Sequence, residues 1–389
     1  MKTIFFDDKG SALLISLCLL GMLTLLAIMA VNTSNTDIDL SFNQINADKA
    51  LYIAEAGAKH AFIELNNDNS WRTGFSNFTF DDGSYFAVII DSSSDSLLDD
   101  TVLIRATGHA IHANSEVEVW TVPEYIYPFR YAMFAEAGIS LDKQTCTDSY
   151  NSDSGSYATT QLDEMGDVGS NGTVTSNKDV TFGGGISTAT PGGITLGVNN
   201  TVTGDTTSAA DSVDLDIIPA AEFAWAEANS DAPDSLSGFD YAYNNGHKIL
   251  STNANGSVTL GSGVYYFSSI TLGQFSQLNL AAGASVVIYV TGDIVLGQGS
   301  TINVAGKPSQ LLIFSSGSRL QFDQGNTFVG SFYGPNAHIQ YDQTTQVFGS
   351  LVGNTIQLDA GACLHYDRNL AKIKHGTTGK MILVAWREI

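Results

Sequence analysis

The hydrophobic pattern divides the chain into three regimes. From Ala12 to Val31 an uncharged apolar run of 20 residues, if helical, reaches about 30 Å, the hydrocarbon thickness of a bilayer. It is longer than the apolar core of a secretory signal and passes without a break into a helical pattern, so it reads as a retained transmembrane segment over 12–31. Beyond it Ile38, Phe42, Ile45, Ala47, Ala50, Leu51, Ala54, Ala58, Ala61, Phe62 and Leu65 form an apolar stripe, mostly at spacings of three and four. Asp48, Lys49, Glu55, Lys59 and Glu64 fall mostly on the other side. The spacing predicts one helix over 11–66.

From 67 to 122 the period shortens to two. Phe78 to Phe80 and Tyr85 to Ile90 flank Asp81-Asp82-Gly83, a hairpin signal, and Val102 to Ile104, His109 to His112 and Glu116 to Val122 are further β runs. A helix laid on a small antiparallel sheet is expected here. Pro123 and Pro128 bracket a linker over 123–128. The rest, 129–389, is rich in Gly, Ser, Thr, Asn and Asp with short strand-like pieces, an insertion at about 217–250 and a C-terminal cap at about 368–389.

Five segments in this last region begin Ile270-Thr-Leu-Gly, Ile294-Val-Leu-Gly, Leu320-Gln-Phe-Asp, Ile339-Gln-Tyr-Asp and Ile356-Gln-Leu-Asp. Each places an apolar residue eight positions on, at Leu278, Ile302, Phe328, Val347 and Leu364. Ile194 with Val202, and Val258 with Tyr266, repeat the pattern. A drifting period of about 20 residues suits one coil of a β-solenoid, expected as a right-handed parallel β-helix. Further strands at Tyr265, Val286, Leu311, Ser331 and Ser350 would stack in parallel. A β-sandwich is the alternative, but it needs no fixed spacing. Gln274, Gln298, Gln324 and Gln343 either form a side-chain ladder or only tolerate the turn.

The fold class is therefore α+β, and a resemblance extends it. Lys9-Gly10-Ser11, a polar leader ending in Lys-Gly ahead of an apolar helix, resembles the class III signal of type IV pilins. Leu51-Tyr-Ile-Ala-Glu-Ala-Gly57 resembles the helix signature of PilX-type minor pilins. Several stretches of the second half, Gly263-Val-Tyr-Tyr-Phe, Phe332-Tyr-Gly-Pro-Asn-Ala and the closing Trp386-Arg-Glu-Ile389 among them, resemble the C-terminal domain often attached to such proteins. The resemblance implies a leader over 1–10 cut by prepilin peptidase between Gly10 and Ser11, with methylation of the new Ser11 amino group. Ile15, Tyr52, Glu55 and Gly57 would belong to an assembly helix. It implies partners in other minor pilins, the major pilin and an inner-membrane assembly platform, with surface glycan or a cell-surface ligand outside. Before assembly the protein would sit in the bacterial inner membrane with its C-terminus outside, and afterwards on the cell surface in the pilus. Most major pilins carry Glu at the fifth mature position, whereas Ile15 occupies it here, as in PilX-type minor pilins and the tip pseudopilin of type II secretion. An ordinary signal anchor remains the alternative for the leader alone.

Composition narrows the chemistry. A net charge of -23 from only 17 Lys plus Arg repels phosphate backbones, so nucleic-acid binding is excluded as an expectation. An oxidising compartment permits a Cys146 to Cys363 disulfide, but nothing in the sequence shows that the two meet. No cofactor is expected; Asp323, Asp342 and Asp359, at successive repeat positions, stack into a row that is either a set of turn residues, a ligand or calcium row, or part of a glycan-cleaving site. His338, His365 and Arg368 are expected near one side of the solenoid. The loop Asp91 to Asp100 has alternating oxygens like a calcium loop, but lacks the glycine and glutamate of one and reads as a solvated turn. A non-enzymatic filament subunit is the first expectation, a membrane-anchored β-helix polysaccharide lyase or glycosidase the second.

Overall fold

The computed structural model describes residues 8–231, 236–237, 241–244 and 246–389. They form two units, one of residues up to Tyr125 together with Thr377–Ile389 and the other of Ile126–Gly376. In the first unit, α1 (Asp8–Asn67) runs 60 residues without a break, about 90 Å at the helical rise. No proline interrupts it. Its C-terminal half seats on a sheet of β1 (Phe75–Phe80), β2 (Gly83–Ile90), β3 (Val102–Ala110), β4 (Ala113–Tyr125) and a C-terminal strand, Thr377–Glu388, all antiparallel and in that order. The seat is built from small residues. Ala50, Ala54, Ala58 and Ala61 are fully buried, and a Cβ on Gly108 would lie 2.1 Å from the Ala50 carbonyl oxygen. Helix and sheet thus meet backbone to backbone.

Three expectations change in this unit. The run His109 to His112 is not a separate strand: β3 continues to Ala110, and the chain turns at Ile111 and His112, which has φ of 65°. The linker over 123–128 is shorter, because β4 extends through Pro123 to Tyr125; Pro123 faces only the C-terminal strand, opposite Met381, where a missing N–H is tolerated. The C-terminal cap at 368–389 is absent as such. Arg368–Lys372 is a short 3-10 turn of the second unit, and Thr377–Glu388 leaves to pair with β4 from Tyr125 to Val117. There it covers the edge of β4, whose Glu118, only 2 % exposed, takes Arg387 from that strand (Nη2 to Oε2, 2.7 Å) besides Arg105 from β3.

The second unit is a stack of coils with three parallel strands each. Inward residues of the first strand pair in the order Leu250, Ile270, Ile294, Leu320, Ile339, Ile356, Ile139, Val174, Ile194, nine rungs among the described residues. The residues eight positions on pair in the same order, from Val258 with Leu278 to Phe182 with Val202. This parallel ladder is not that of a two-sheet sandwich. Val258 itself moves: it is a second-strand residue, and Leu250 starts its coil.

A local rule holds each coil together. The residue five after each start has positive φ: Asn255, Phe275, Gly299, Gly325, Thr344, Gly361, Gln144, Asp179 and Asn199. One left-handed residue reverses the chain between first and second strands so that both turn apolar side chains inward. The main-chain carbonyls of Gln274, Gln298, Gln324 and Gln343 accept amides of the adjacent coil. These residues are joined through backbone.

The stack order is not the chain order. The chain enters in the middle at Met133–Leu141, winds outward to Thr206–Ser208 and later winds back from Ile249–Thr252 to Cys363–Asp367, and the described part of the crossing between them lies along the outside. The crossing covers outward aromatics of the third strands: Phe223, in the helix Ala220–Asn229, packs edge-on to Tyr289, and the Tyr333 hydroxyl donates to the Asp216 carbonyl at 2.8 Å. The insertion placed at about 217–250 is this crossing. Strands Leu236–Ser237 and Tyr241–Asn244 pair antiparallel onto the end coil, and Ile249 already belongs to the stack.

Candidate functional site

The candidate residues fall on two surfaces, one on each unit. On α1 every residue from Leu13 to Ile45 is exposed, and the helix from Leu13 contains a window of mean hydropathy 2.7, long and apolar enough to cross a membrane. Gly10 and Ser11 fall in the first turns of α1, where burial lies outside what is described. Ile15 is 58 % and Tyr52 67 % exposed; Glu55 is half-buried. Gly57 faces the other way. A Cβ there would lie 2.7 Å from the Tyr85 ring, whose hydroxyl meets His60 Nδ1 at 2.6 Å. The stretch Leu51 to Gly57 therefore combines a packing glycine with an outward Tyr52.

On the solenoid, the first strands align Gln321, Gln340 and Gln357 in register, with Asp323, Asp342 and Asp359 two residues on. Each glutamine Nε2 donates to its own aspartate Oδ1, at 2.7, 3.1 and 3.0 Å. Asp142 continues the column and accepts from Asn177 Nδ2 at 2.9 Å. Around Gln357, Asp359, Asp142 and Asn177 the column opens into a polar groove of about 410 Å³. Burial raises the Asp342 carboxyl above its usual range, the Asp359 and Asp323 charges raise it further, and Gln340 counteracts. The chemistry is a single column of like charges, each with one oxygen occupied by an amide. It lacks the two-sided acid pair that a glycosidase needs. Among the described residues no three His, Cys, Asp or Glu groups converge as a metal site. At Asp91, Ser93 and then Arg72 hold the carboxyl down at about 2, and its oxygens accept from the Ser93 amide and Arg72 Nε within the turn.

His338, His365 and Arg368 do not gather on one side. His338 Nδ1 meets Thr355 Oγ1 at 2.6 Å on the first strands, and Arg368 Nε donates to the Tyr150 carbonyl. His365 lies in a cluster that the sequence reading missed. Cys146 and Cys363 are disulfide-bonded, with Cα atoms 4.6 Å apart. Two residues along, buried His365 meets Asp148 through Nδ1 (2.8 Å) and Gln346 through Nε2 (3.0 Å). Tyr157 OH and Gln161 Nε2 donate to the other Asp148 oxygen at 2.6 and 2.9 Å, so the excursion 151–166 lies over the pair. Burial, then Asp148, raises the Tyr157 hydroxyl. The signal was two Cys-x-acid/His alternations, Cys146-Thr-Asp148 and Cys363-Leu-His365, whose register no local repeat reveals.

Residues 270–373 match a family described as a domain of unknown function (DUF7305). A search of curated proteins by sequence finds no match. Among solved structures, the chain is similar to the competence-associated pilin ComZ from Thermus thermophilus, at 13% identity and TM-score 0.35 over 88% of this chain and 98% of that one. It is also similar to an ice-binding protein from the Antarctic ascomycete Antarctomyces psychrotrophicus (14%, TM-score 0.30, 63% and 98%). A third is the DUF3494 domain of an ice-binding protein from Shewanella frigidimarina (13%, TM-score 0.32, 63% and 97%).

Proposed function

We propose that this chain is a non-enzymatic subunit of a type IV pilus or related filament, a minor pilin whose head carries a solenoid. The observation that carries the reading is α1, which is bare and apolar from Leu13 to Val31 and seated on its own sheet from Ala50 onward. A helix of that build satisfies its apolar half first in a bilayer and then against like helices. In this reading, residues 12–31 hold the protein in the inner membrane with the C-terminus outside. Prepilin peptidase cuts between Gly10 and Ser11, the Ser11 amino group is methylated, and the assembly platform passes the subunit to its partner pilins. The solenoid stays outside, where its polar column faces a surface, a glycan or another ligand.

Ile15 refines the position. A carboxylate at that place would pair with the N-terminus of a neighbouring subunit; its absence suits a subunit with none ahead of it, at the tip. Mass spectrometry of the N-terminus tests the main reading. A chain beginning at methylated Ser11 is expected, and an intact Met1 in assembled filaments would sink it. Labelled copies distributed along the shaft would overturn the tip position alone.

A further inference from the structure

The solenoid is spliced into a hairpin of the head. β4 ends at Tyr125, the C-terminal strand begins at Thr377, and these two residues pair. The head sheet is therefore complete only when residues 126–376 hold their two ends side by side. Between most rungs, successive coils do the stacking. At one seam, residues from opposite ends of the unit do it: Met133–Leu141 pairs with the 351–358 strand, and Cys146–Tyr150 with Cys363–Asp367. Leu351 N donates to the Ala132 carbonyl (3.0 Å), Tyr366 OH to the Phe129 carbonyl (2.7 Å) and Ser152 Oγ to Asp367 Oδ2 (2.6 Å). The disulfide lies in this seam, and His375 N donates to the Ile126 carbonyl at 2.9 Å where the two ends meet.

We propose that closure of this seam completes the head sheet, so that a copy with an open solenoid carries an unfinished head, and that the disulfide holds the seam shut. Before closure, 126–208 and 249–376 each stack their own coils, because those pairings are local. Tyr125 and Thr377 are then tethered to separate blocks. Without the C-terminal strand, β4 becomes an edge from Val117 to Tyr125, Glu118 loses Arg387, and Asn66 Oδ1 loses the Met381 amide that it accepts at 2.9 Å. The coupling is reciprocal, since a docked strand also holds the seam's ends together. Locking follows dithiol–disulfide exchange: the two thiols lose two protons and two electrons to an incoming protein disulfide, which leaves as two thiols. Both cysteines are partly exposed, so that exchange partner can reach them.

Amide hydrogen exchange on the full-length protein tests this, comparing the oxidised chain with Cys146→Ser/Cys363→Ser. Amides of 133–150, 351–367 and 381–388 are expected to speed up together, by about tenfold or more given a disulfide's usual contribution, while those of β2 and of 286–290 stay unchanged. A faster seam with 381–388 unmoved overturns the coupling. No change in either removes the lock from the proposal, and guanidinium-dependent exchange of the oxidised chain then decides closure: seam and 381–388 are expected to open along one isotherm, and a seam that opens first beneath a protected strand overturns it.

Discussion

The two units solve the same problem, placing strands beside strands, in opposite ways. In the solenoid a rung is settled by its neighbours about 20 residues away and by one turn rule repeated coil after coil. In the head the fifth strand arrives from the far end of the chain. Closing an unstructured loop of about 250 residues costs about 4 kcal/mol more than closing a two-residue turn. The comparison teaches that the regular unit has one irregular duty, its seam, and that the small irregular unit depends on it. Both interiors bury charged or titratable side chains, the solenoid His365 against Asp148 and the head Glu118 between Arg105 and Arg387.

The largest expected break is at the seam. The bridge joins residues 217 apart, and loops of that length make a disulfide worth about 3 to 5 kcal/mol. Cys146→Ser/Cys363→Ser should lower the guanidinium midpoint of the seam accordingly, followed by a probe within 351–358. An unchanged midpoint would show that the seam's hydrogen bonds suffice. In the head, Glu118→Gln is expected to cost about 2 kcal/mol, because three charge-assisted bonds from Arg105 and Arg387 weaken while both arginines keep access to water. Burial pushes the Glu118 carboxyl up, but the hydrogen bonds and charges of Arg105 and Arg387 pull it further down. With the folded value below the unfolded one, its stabilisation is present above the ordinary glutamate range and is lost as pH falls through the lowered value. The variant's acid unfolding curve should lose that component, and a curve parallel to wild type would contradict it.

Much of this was legible in the residues. Ile270, Ile294, Leu320, Ile339 and Ile356 stack as their spacing implied, because one inward residue per short strand is dictated locally. The turn rule hid because only Gly299, Gly325 and Gly361 of its nine residues are glycines; Phe275 and Thr344 give no sign of positive φ. The frame at Val258 slipped for a related reason: Val258-Thr-Leu-Gly has the composition of a first strand, and only pairing with Leu278 fixes it as a second. Met381 to Trp386 read as a cap because an apolar strand carries no mark of which sheet it joins. Leu51 to Gly57 carried only a resemblance, and the packing of Gly57 came from the Tyr85 ring beside it. The His365–Asp148 pair needed the seam register, which local sequence does not encode.

A smaller effect separates the units by pH. His375 stacks on Phe314 at 3.8 Å and approaches Glu222 Oε2 at 3.1 Å. Burial lowers its pKa, and Glu222 raises it by less. The folded solenoid therefore binds its proton less readily than the unfolded chain, and stability falls as pH drops below about 6.5, where the unfolded histidine charges. Melting of the solenoid between pH 7.5 and 5.5 should show this, and His375→Gln should flatten it. An identical pH slope in the variant would place the dependence elsewhere.

The smallest test sharpens the turn rule itself. Thr344 has φ of 61° between Gly325 and Gly361, at 73° and 74°, in the same column. A β-branched residue in that region carries about 1 to 2 kcal/mol of strain, and glycine gives back part of it through the greater freedom of its unfolded chain. Thr344→Gly should therefore stabilise the solenoid by about 0.5 to 1 kcal/mol, and Gly361→Thr should destabilise it by a similar amount. Guanidinium midpoints of the two single variants and of the double variant read this directly. If the left-handed residue is an independent property of each rung, the two shifts add to near zero. If neighbouring turns instead share their strain through the 3.8 Å approach of Thr344 Cγ2 to the Gly361 site, the double variant departs from that sum. Local autonomy of the coils, the property that sets the solenoid apart from the head, then fails at its own repeating unit.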